Sequence, residues 1–153
     1  VKVFVLTVSD RSYAAQRADT SGPLAAELLG AQGFSVSTGC VPDDSAAIVA
    51  ALRNAAQSDV DVVLTTGGTG LGPRDVTPEA TASVVDRFAP GIAEAVRAAG
   101  SVPTAALSRG LAGLIGRTLV VNLAGSPGAV RDGIAALEPL LPHAISQIRG
   151  ADH

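Results

Sequence analysis

Two hydrophobic periodicities share this chain. Short runs rich in Val, Ile and Leu occur at 2–8, 34–41, 60–65 and 118–123, the mark of strands in a buried sheet. The run at 34–41 is the least regular, because Gly39 interrupts it. Between the runs the apolar spacing changes to three and four. Leu24, Leu28 and Leu29 follow Pro23 and end at Gly33, and Ile48, Val49, Leu52 and Ala56 share one face. Val84, Val85 and Phe88 continue a helical face that Pro90-Gly91 breaks, and a short helix over 92–98 stops at Gly100. Val130, Ile134 and Leu137 mark a further helix, and Pro139 and Pro142 interrupt the run before Ile145 and Ile148. Residues 111–115 read as a short strand turned by Gly116-Arg117, while 13–20 and 103–110 read as loops. Strands alternating with helices predict an α/β domain of three layers, helices on both faces of a mostly parallel sheet. With 153 residues and no linker, repeat or low-complexity tract, one domain spanning 1–153 is expected.

Composition narrows the chemistry. The chain is 47% hydrophobic but only 3% aromatic, without Trp or Met, so the core is built from Ala, Val, Leu and Ile. A net charge of −3 argues against a general binder of nucleic acid or anionic membrane. No apolar run is long enough to span a bilayer, and the opening residues lack the features of a secretion signal, so a cytoplasmic location is expected. Cys40 stands alone, excluding an internal disulfide, and reads as a small buried strand residue. His143 lies in a helix and His153 in the tail, neither near a candidate nucleophile in sequence, and no His/Cys cluster suggests zinc.

The most informative stretch is 65–80, TTGGTGLGPRDVTPEA. It joins the strand at 60–65 to a helix opened by Thr77 as N-cap and Pro78 at the first helical position. A strand, a glycine turn and a helix start bring backbone N–H groups to a place where an anion can sit. Known phosphate motifs do not match. Gly67 and Gly72 fit the glycines of a P-loop, but Pro73 replaces its lysine and also the third glycine of a dinucleotide fingerprint. The glycines alone are therefore equally compatible with a ligand-free tight connection. Asp75 beside them changes the picture, since a carboxylate next to a phosphate cradle is how proteins hold Mg²⁺. Asp43-Asp44-Ser45 adds a second acidic point: one residue caps the helix, with Asp44 or Ser45 suited to that, and Asp43 is left to face a ligand. Gly125-Ser126-Pro127 repeats the cradle device, with Ser126 as N-cap.

These residues resemble the signature of the molybdopterin-binding family, in its MogA/MoaB-like single-domain adenylyltransferase branch. The resemblance extends through Ser9-Asp10-Arg11, Asp19 with Ser21-Gly22, Pro42-Asp43-Asp44, Pro90-Gly91, Ser108-Arg109 and Asn122 to Pro127. One position departs: the family's N-L-P-G-x-P has Ala124 in place of its proline.

The resemblance implies a fold with one antiparallel strand and an enzyme of molybdenum cofactor biosynthesis. Its reaction would join Mg-ATP and molybdopterin into adenylylated molybdopterin and pyrophosphate, a nucleotidyl transfer. Asp43 and Asp75 match the essential acidic positions and would bind and orient Mg²⁺ and the pterin. Thr66, Gly67, Gly68, Thr69 and Gly70 would cradle phosphate, and Asn122, Gly125, Ser126 and Pro127 would form a second cradle. Ser9, Asp10 and Arg11 would add to the binding site at the end of the first strand, with Ser108 and Arg109 at its rim. The resemblance further implies a homotrimer or a hexamer of two trimers, with other cofactor-biosynthesis proteins as partners. The alternatives are a non-catalytic molybdopterin-binding protein and a trimeric assembly module.

Overall fold

The computed structural model describes residues 1–151, so His153 lies outside the described residues. Six strands form one sheet: β1 (Lys2–Val8), β2 (Ser35–Val41), β3 (Val62–Thr66), β4 (Arg87–Phe88), β5 (Ala112–Ile115) and β6 (Thr118–Leu123). Their order is β2-β1-β3-β6-β5-β4. β2, β1, β3 and β6 run parallel, and β5 is antiparallel to β6 and to β4. The reason for that single reversal is local. Gly116, at φ +57, turns the chain at once from β5 into β6, and a two-residue connection permits only an antiparallel pair.

Among the described residues, seven α-helices accompany the sheet: α1 (Asp10–Tyr13), α2 (Ser21–Ala31), α3 (Ser45–Gln57), α4 (Thr77–Val84), α5 (Pro90–Ala98), α6 (Pro127–Leu137) and α7 (Leu141–Ile148). Alternation along the strands divides the core in two. Val3, Val5, Val62, Leu64, Leu119, Val121 and Leu123 face α2, α5, α6 and α7, whose Leu29, Ala93, Ile134 and Ile145 complete that side. Leu6, Val8, Val63 and Val120 face Ile48 and Leu52 of α3 and Ala80 and Val84 of α4. All five residues of β3 are buried, as expected for a central parallel strand.

The expected strands are present, with boundaries shifted by up to two residues, and Thr118–Leu123 falls where its periodicity places it. Five local readings are corrected. The helix of the glycine stretch ends at Val84, and Phe88 belongs to the edge strand β4, where it is 58% exposed. Its pairing with Gly113 captures the backbone that an apolar spacing of three and four assigns to helix. The loop at 13–20 loses only its first residue, Tyr13, to the short α1, which Ser9 caps by accepting the Ser12 N–H, and 14–20 are loop as read. Residues Pro103–Leu107 form a 3-10 turn. Thr77 is not the N-cap of α4: Val76 precedes the helix, and the Thr77 hydroxyl instead donates to the Gly67 carbonyl at 3.0 Å. Cys40 is half-buried rather than buried, because β2 is an edge strand.

Asp61 ties three elements together at the opposite end of the sheet from the glycine turn. Its carboxylate accepts the Lys2 N–H at 2.8 Å and the Arg149 guanidinium at 2.8 Å. Partial burial pushes the Asp61 carboxyl up, but those two donors outweigh it and the net shift is downward. A folded-state value below that of the unfolded chain contributes stability at neutral pH that is lost as pH falls through the folded value. The Asp61→Asn variant should therefore show a flatter dependence of unfolding free energy on pH below the ordinary aspartate value of 3.8 than the wild type. Denaturant melts at pH 7, 4 and 3 measure this, and parallel curves would remove Asp61 from the account.

Candidate functional site

The loops after β1, β2, β3 and β6 leave the same end of the sheet and enclose an open cleft of about 790 Å³. It lies where β1 has β2 on one side and β3 on the other, so the chain leaves in opposite directions, the geometry at which open α/β sheets bind ligands.

The glycine turn forms its floor. Gly67 (φ +98) and Gly68 (φ +68) are both left-handed. A Cβ on Gly67 would strike the Val8 carbonyl, and one on Gly68 would strike the Thr77 hydroxyl. Gly67 donates to the Leu123 carbonyl at 3.0 Å, which fixes the turn against β6. Among the described residues, the N–H groups of Gly68, Thr69 and Gly70 make no hydrogen bond to protein. Directly beneath, the fully buried Thr66 Oγ1 also has no partner. A native fold rarely leaves such a hydroxyl unsatisfied, so a ligand atom or water belongs there. The second cradle stands opposite. Ser126 caps α6 by accepting the Ala129 N–H at 3.1 Å, and the Gly125 carbonyl accepts the Ser21 hydroxyl at 2.6 Å. Those bonds hold the turn in which Ala124 replaces proline.

Asp10 and Asp43 form a reciprocal clasp. The Asp10 N–H donates to Asp43 Oδ2 at 3.0 Å, and the Asp43 N–H donates to Asp10 Oδ1 at 2.9 Å. Arg74 completes it, with Nε to Asp10 Oδ2 at 2.7 Å and Nη2 to the Asp43 carbonyl at 3.0 Å. The Arg74 guanidinium and the Asp43 contact hold the Asp10 carboxyl below its ordinary range. Asp43 moves the other way: burial pushes it up, and the neighbouring charges of Asp10 and Asp75 add to that. Its Oδ1 approaches the turn at Gly68 and accepts no hydrogen bond among the described residues. Asp75 uses Oδ2 to accept the Gly72 N–H at 2.9 Å, leaving Oδ1 uncommitted. Two carboxylates of one cleft wall, each with a free oxygen near the glycine turn, fit Mg²⁺, which takes one or two carboxylates and completes its shell with water and substrate phosphate. No cluster of three or more metal-ligating side chains occurs among the described residues, so they do not form an all-protein cage.

The cleft thus gathers Ser9, Asp43, Thr66, Gly67, Gly68, Thr69, Gly70, Asp75, Ser108, Gly125, Ser126 and Pro127 from the residues singled out in the sequence. Four others stand outside its wall. Asp10 is held by Arg74, and Arg11 is an exposed residue of α1. Arg109 turns away from the rim, donating to the Gly70 and Asp75 carbonyls at 2.8 Å each and pairing with Glu79. It is a brace for the glycine loop. Asn122 lies behind the cleft, 3% exposed. Its amide donates to Thr65 at 3.0 Å and Thr81 at 3.1 Å and accepts the Leu111 N–H, joining β3, α4 and β6.

Sequence reasoning overlooked Arg17 and Asp19 as wall residues, together with the 3-10 turn that supplies Thr104, Ala105 and Leu107. The signal for Asp19 was present in its spacing to Ser21-Gly22. Its carboxylate accepts the Thr7 hydroxyl at 2.7 Å and the Gly22 N–H at 3.0 Å, and a Cβ at position 22 would overlap it. Behind the 3-10 turn, a smaller pocket of about 220 Å³ shares Ser108, Ala124 and Ser126 with the cleft.

With this geometry in hand, the family follows. Residues 4–143 match the model described as "Probable molybdopterin binding domain", and the chain belongs to that family. A molybdopterin adenylyltransferase of Helicobacter pylori J99 is 35% identical, over 98% of this chain and 89% of its own length. A molybdenum cofactor biosynthesis bifunctional protein of Synechococcus elongatus is 46% identical over 97% of this chain, which spans only 48% of that protein, and 25% of a 41% identical Drosophila melanogaster cofactor-synthesis protein. Among solved structures, a MogA is 44% identical with a TM-score of 0.93, covering 97% of this chain and 99% of its own. A tungsten cofactor synthesizing MoaB from Pyrococcus furiosus is 35% identical with a TM-score of 0.87, covering 97% and 96%.

Asn122 offers a direct check on the division between wall and frame. Asn122→Ala leaves the Leu111 N–H and the Thr65 hydroxyl without their partner in a dry site. It should lower unfolding free energy by about 2–3 kcal/mol. Urea unfolding measures this, and a loss under about 0.5 kcal/mol, the range of a surface substitution, would return Asn122 to the ligand.

Proposed function

We propose that this chain is a molybdopterin adenylyltransferase of molybdenum cofactor biosynthesis. The observation that carries the reading is the convergence of Asp43 and Asp75, each with an uncommitted oxygen, on a glycine turn with free N–H donors, in a chain of the molybdopterin-binding family. In this reading a terminal phosphate oxygen of molybdopterin attacks the α-phosphorus of ATP. The new phosphoanhydride bond forms as the bond from the α-phosphorus to its bridging oxygen breaks, and pyrophosphate leaves with that electron pair. The phosphate nucleophile is already ionised near neutral pH, so no general base is needed, consistent with a cleft free of histidine among the described residues.

The protein's contribution is position and charge. Gly68, Thr69 and Gly70 offer N–H donors to phosphate oxygens, and Thr66 Oγ1 offers a hydroxyl from below. The N–H groups of Gly125 and Ser126, unpaired among the described residues, would offer a second set of donors across the cleft, where a second phosphate group would lie. Asp43 and Asp75 would hold Mg²⁺, which when bound neutralises charge on the phosphates. The clasp with Asp10 and Arg74 fixes the Asp43 carboxylate, and Arg109 fixes the loop carrying Asp75. The reading includes the homotrimer or hexamer of the family resemblance, for which sedimentation velocity is the measurement.

Incubation with molybdopterin, ATP and Mg²⁺ should yield adenylylated molybdopterin with an equal amount of pyrophosphate. Tight molybdopterin binding without pyrophosphate release would instead establish a non-catalytic binding protein. Asp75→Asn preserves the acceptor for the Gly72 N–H while removing the charge. Turnover should fall by ~10²–10³, the usual cost of losing one electrostatic contact to the transition state, while the thermal midpoint changes little. Near-normal turnover with a lowered midpoint would make Asp75 a loop residue only.

A further inference from the structure

We propose that Arg17 is the cation through which the cleft recognises substrate phosphate. This rests on the adenylyl-transfer reading only in taking the ligands to be phosphate-bearing.

The argument begins with charge. The cleft wall carries three carboxylates, Asp19, Asp43 and Asp75, and a single Lys or Arg, Arg17. Arg11, exposed on α1, is also unpaired among the described residues but stands outside the wall, and three further arginines near the site are occupied by protein. Arg74 has two nitrogens on Asp10 and the Asp43 carbonyl, and Arg109 has three on Gly70, Asp75 and Glu79. Arg97 faces the smaller pocket and donates to the Ser108 and Gly110 carbonyls. The Arg17 guanidinium is exposed and makes no hydrogen bond or ion pair among the described residues. A polyanion entering among three carboxylates is repelled unless cations offset them, and a planar guanidinium suits phosphate oxygens.

Its stem is fixed on both sides. Ala15, at φ +58, turns the chain out of α1, and the Gln16 N–H donates to the Arg11 carbonyl at 2.9 Å. Two residues beyond Arg17, Asp19 is locked to Thr7 and Gly22. The loop therefore presents Arg17 from a pinned base. The unpartnered Thr66 hydroxyl and the free N–H groups of the glycine turn belong to the same wall, so the cleft supplies neutral donors and one unpaired charge.

Phosphate reaches such a site from two sources, the nucleotide polyphosphate or the single phosphate of the pterin. The test compares wild type, Arg17→Ala, Arg17→Lys and Arg53→Ala, the last changing net charge equally on the exposed face of α3. Steady-state kinetics give kcat and KM for each substrate, and calorimetry gives the affinity for Mg-pyrophosphate. Arg17→Ala should weaken one phosphate ligand about tenfold, with kcat changed less than about threefold because the contact is made in ground state and transition state alike. Arg17→Lys should recover part of the loss, Arg53→Ala should match wild type, and added salt should shrink the difference. Weakening of ATP and pyrophosphate assigns Arg17 to the polyphosphate, and weakening of molybdopterin alone assigns it to the pterin phosphate. Equal affinities of Arg17→Ala and wild type for all three ligands overturn the proposal. If wild type forms no adenylylated product yet binds pyrophosphate through Arg17, the proposal stands and adenylyl transfer falls. If wild type binds none of the three, both fall.

Discussion

The site depends on the close approach of three strand ends at Gly67. Its N–H binds the end of β6, its Cα sits where no side chain could pass the last carbonyl of β1, and its own carbonyl accepts the Thr77 hydroxyl from α4. Gly125 comes near enough that a Cβ there would lie 3.1 Å from the Gly67 Cα. The turn is thus fixed by strand spacing, and the N–H groups of Gly68, Thr69 and Gly70 within it are left without a protein partner among the described residues.

Charge around the cleft is organised in the same indirect manner. Arg74 and Arg109 direct their guanidinium groups at the protein, where they fix the Asp10–Asp43 clasp and the loop from Gly70 to Asp75. The cost appears at Asp43, which burial and two like charges push toward neutrality. A carboxylate in that condition gains by meeting a further cation, since Arg74, whose charge offsets the shift only in part, is bonded to Asp10 and to the Asp43 carbonyl. The arrangement stores an unmet electrostatic demand at the point where a metal-bound phosphate would supply the remedy.

Much of this was legible in the chain. β6 and the central β3 declare themselves by the apolar cores Leu119-Val120-Val121 and Val62-Val63-Leu64, as expected of strands buried on both faces, with their polar residues toward the ends. The glycine turn, Asp43 and Ser126 were placed correctly because each follows a strand directly. What escaped was set by partners distant in sequence. Phe88 follows a helical spacing yet pairs with Gly113. Thr77 has the composition of a cap yet finds the Gly67 carbonyl a better partner. Arg109, by its planar fork, and Asn122, by the family resemblance, are expected at the ligand, and the structure places them outside the wall on Gly70, Asp75, Thr65 and Thr81. Arg17 lacked any signal, since its significance lies in its place on the wall, which Arg11 lacks, and in Arg74 and Arg109 being engaged elsewhere.

The parallel core has a kinetic meaning. Val3 pairs with Val62, and Val63 with Val120, so the strands whose ends make the cleft are joined by long excursions of chain. Such contacts form only after large loops close, and topologies of this kind fold slowly. Hairpin β5–β6 is the local exception and is available early as a template. The cleft is complete only when β1, β3 and β6 lie side by side with both glycine turns seated. A nascent or partly folded chain therefore has no such cleft, and whatever the cleft binds meets it only in molecules that have finished folding.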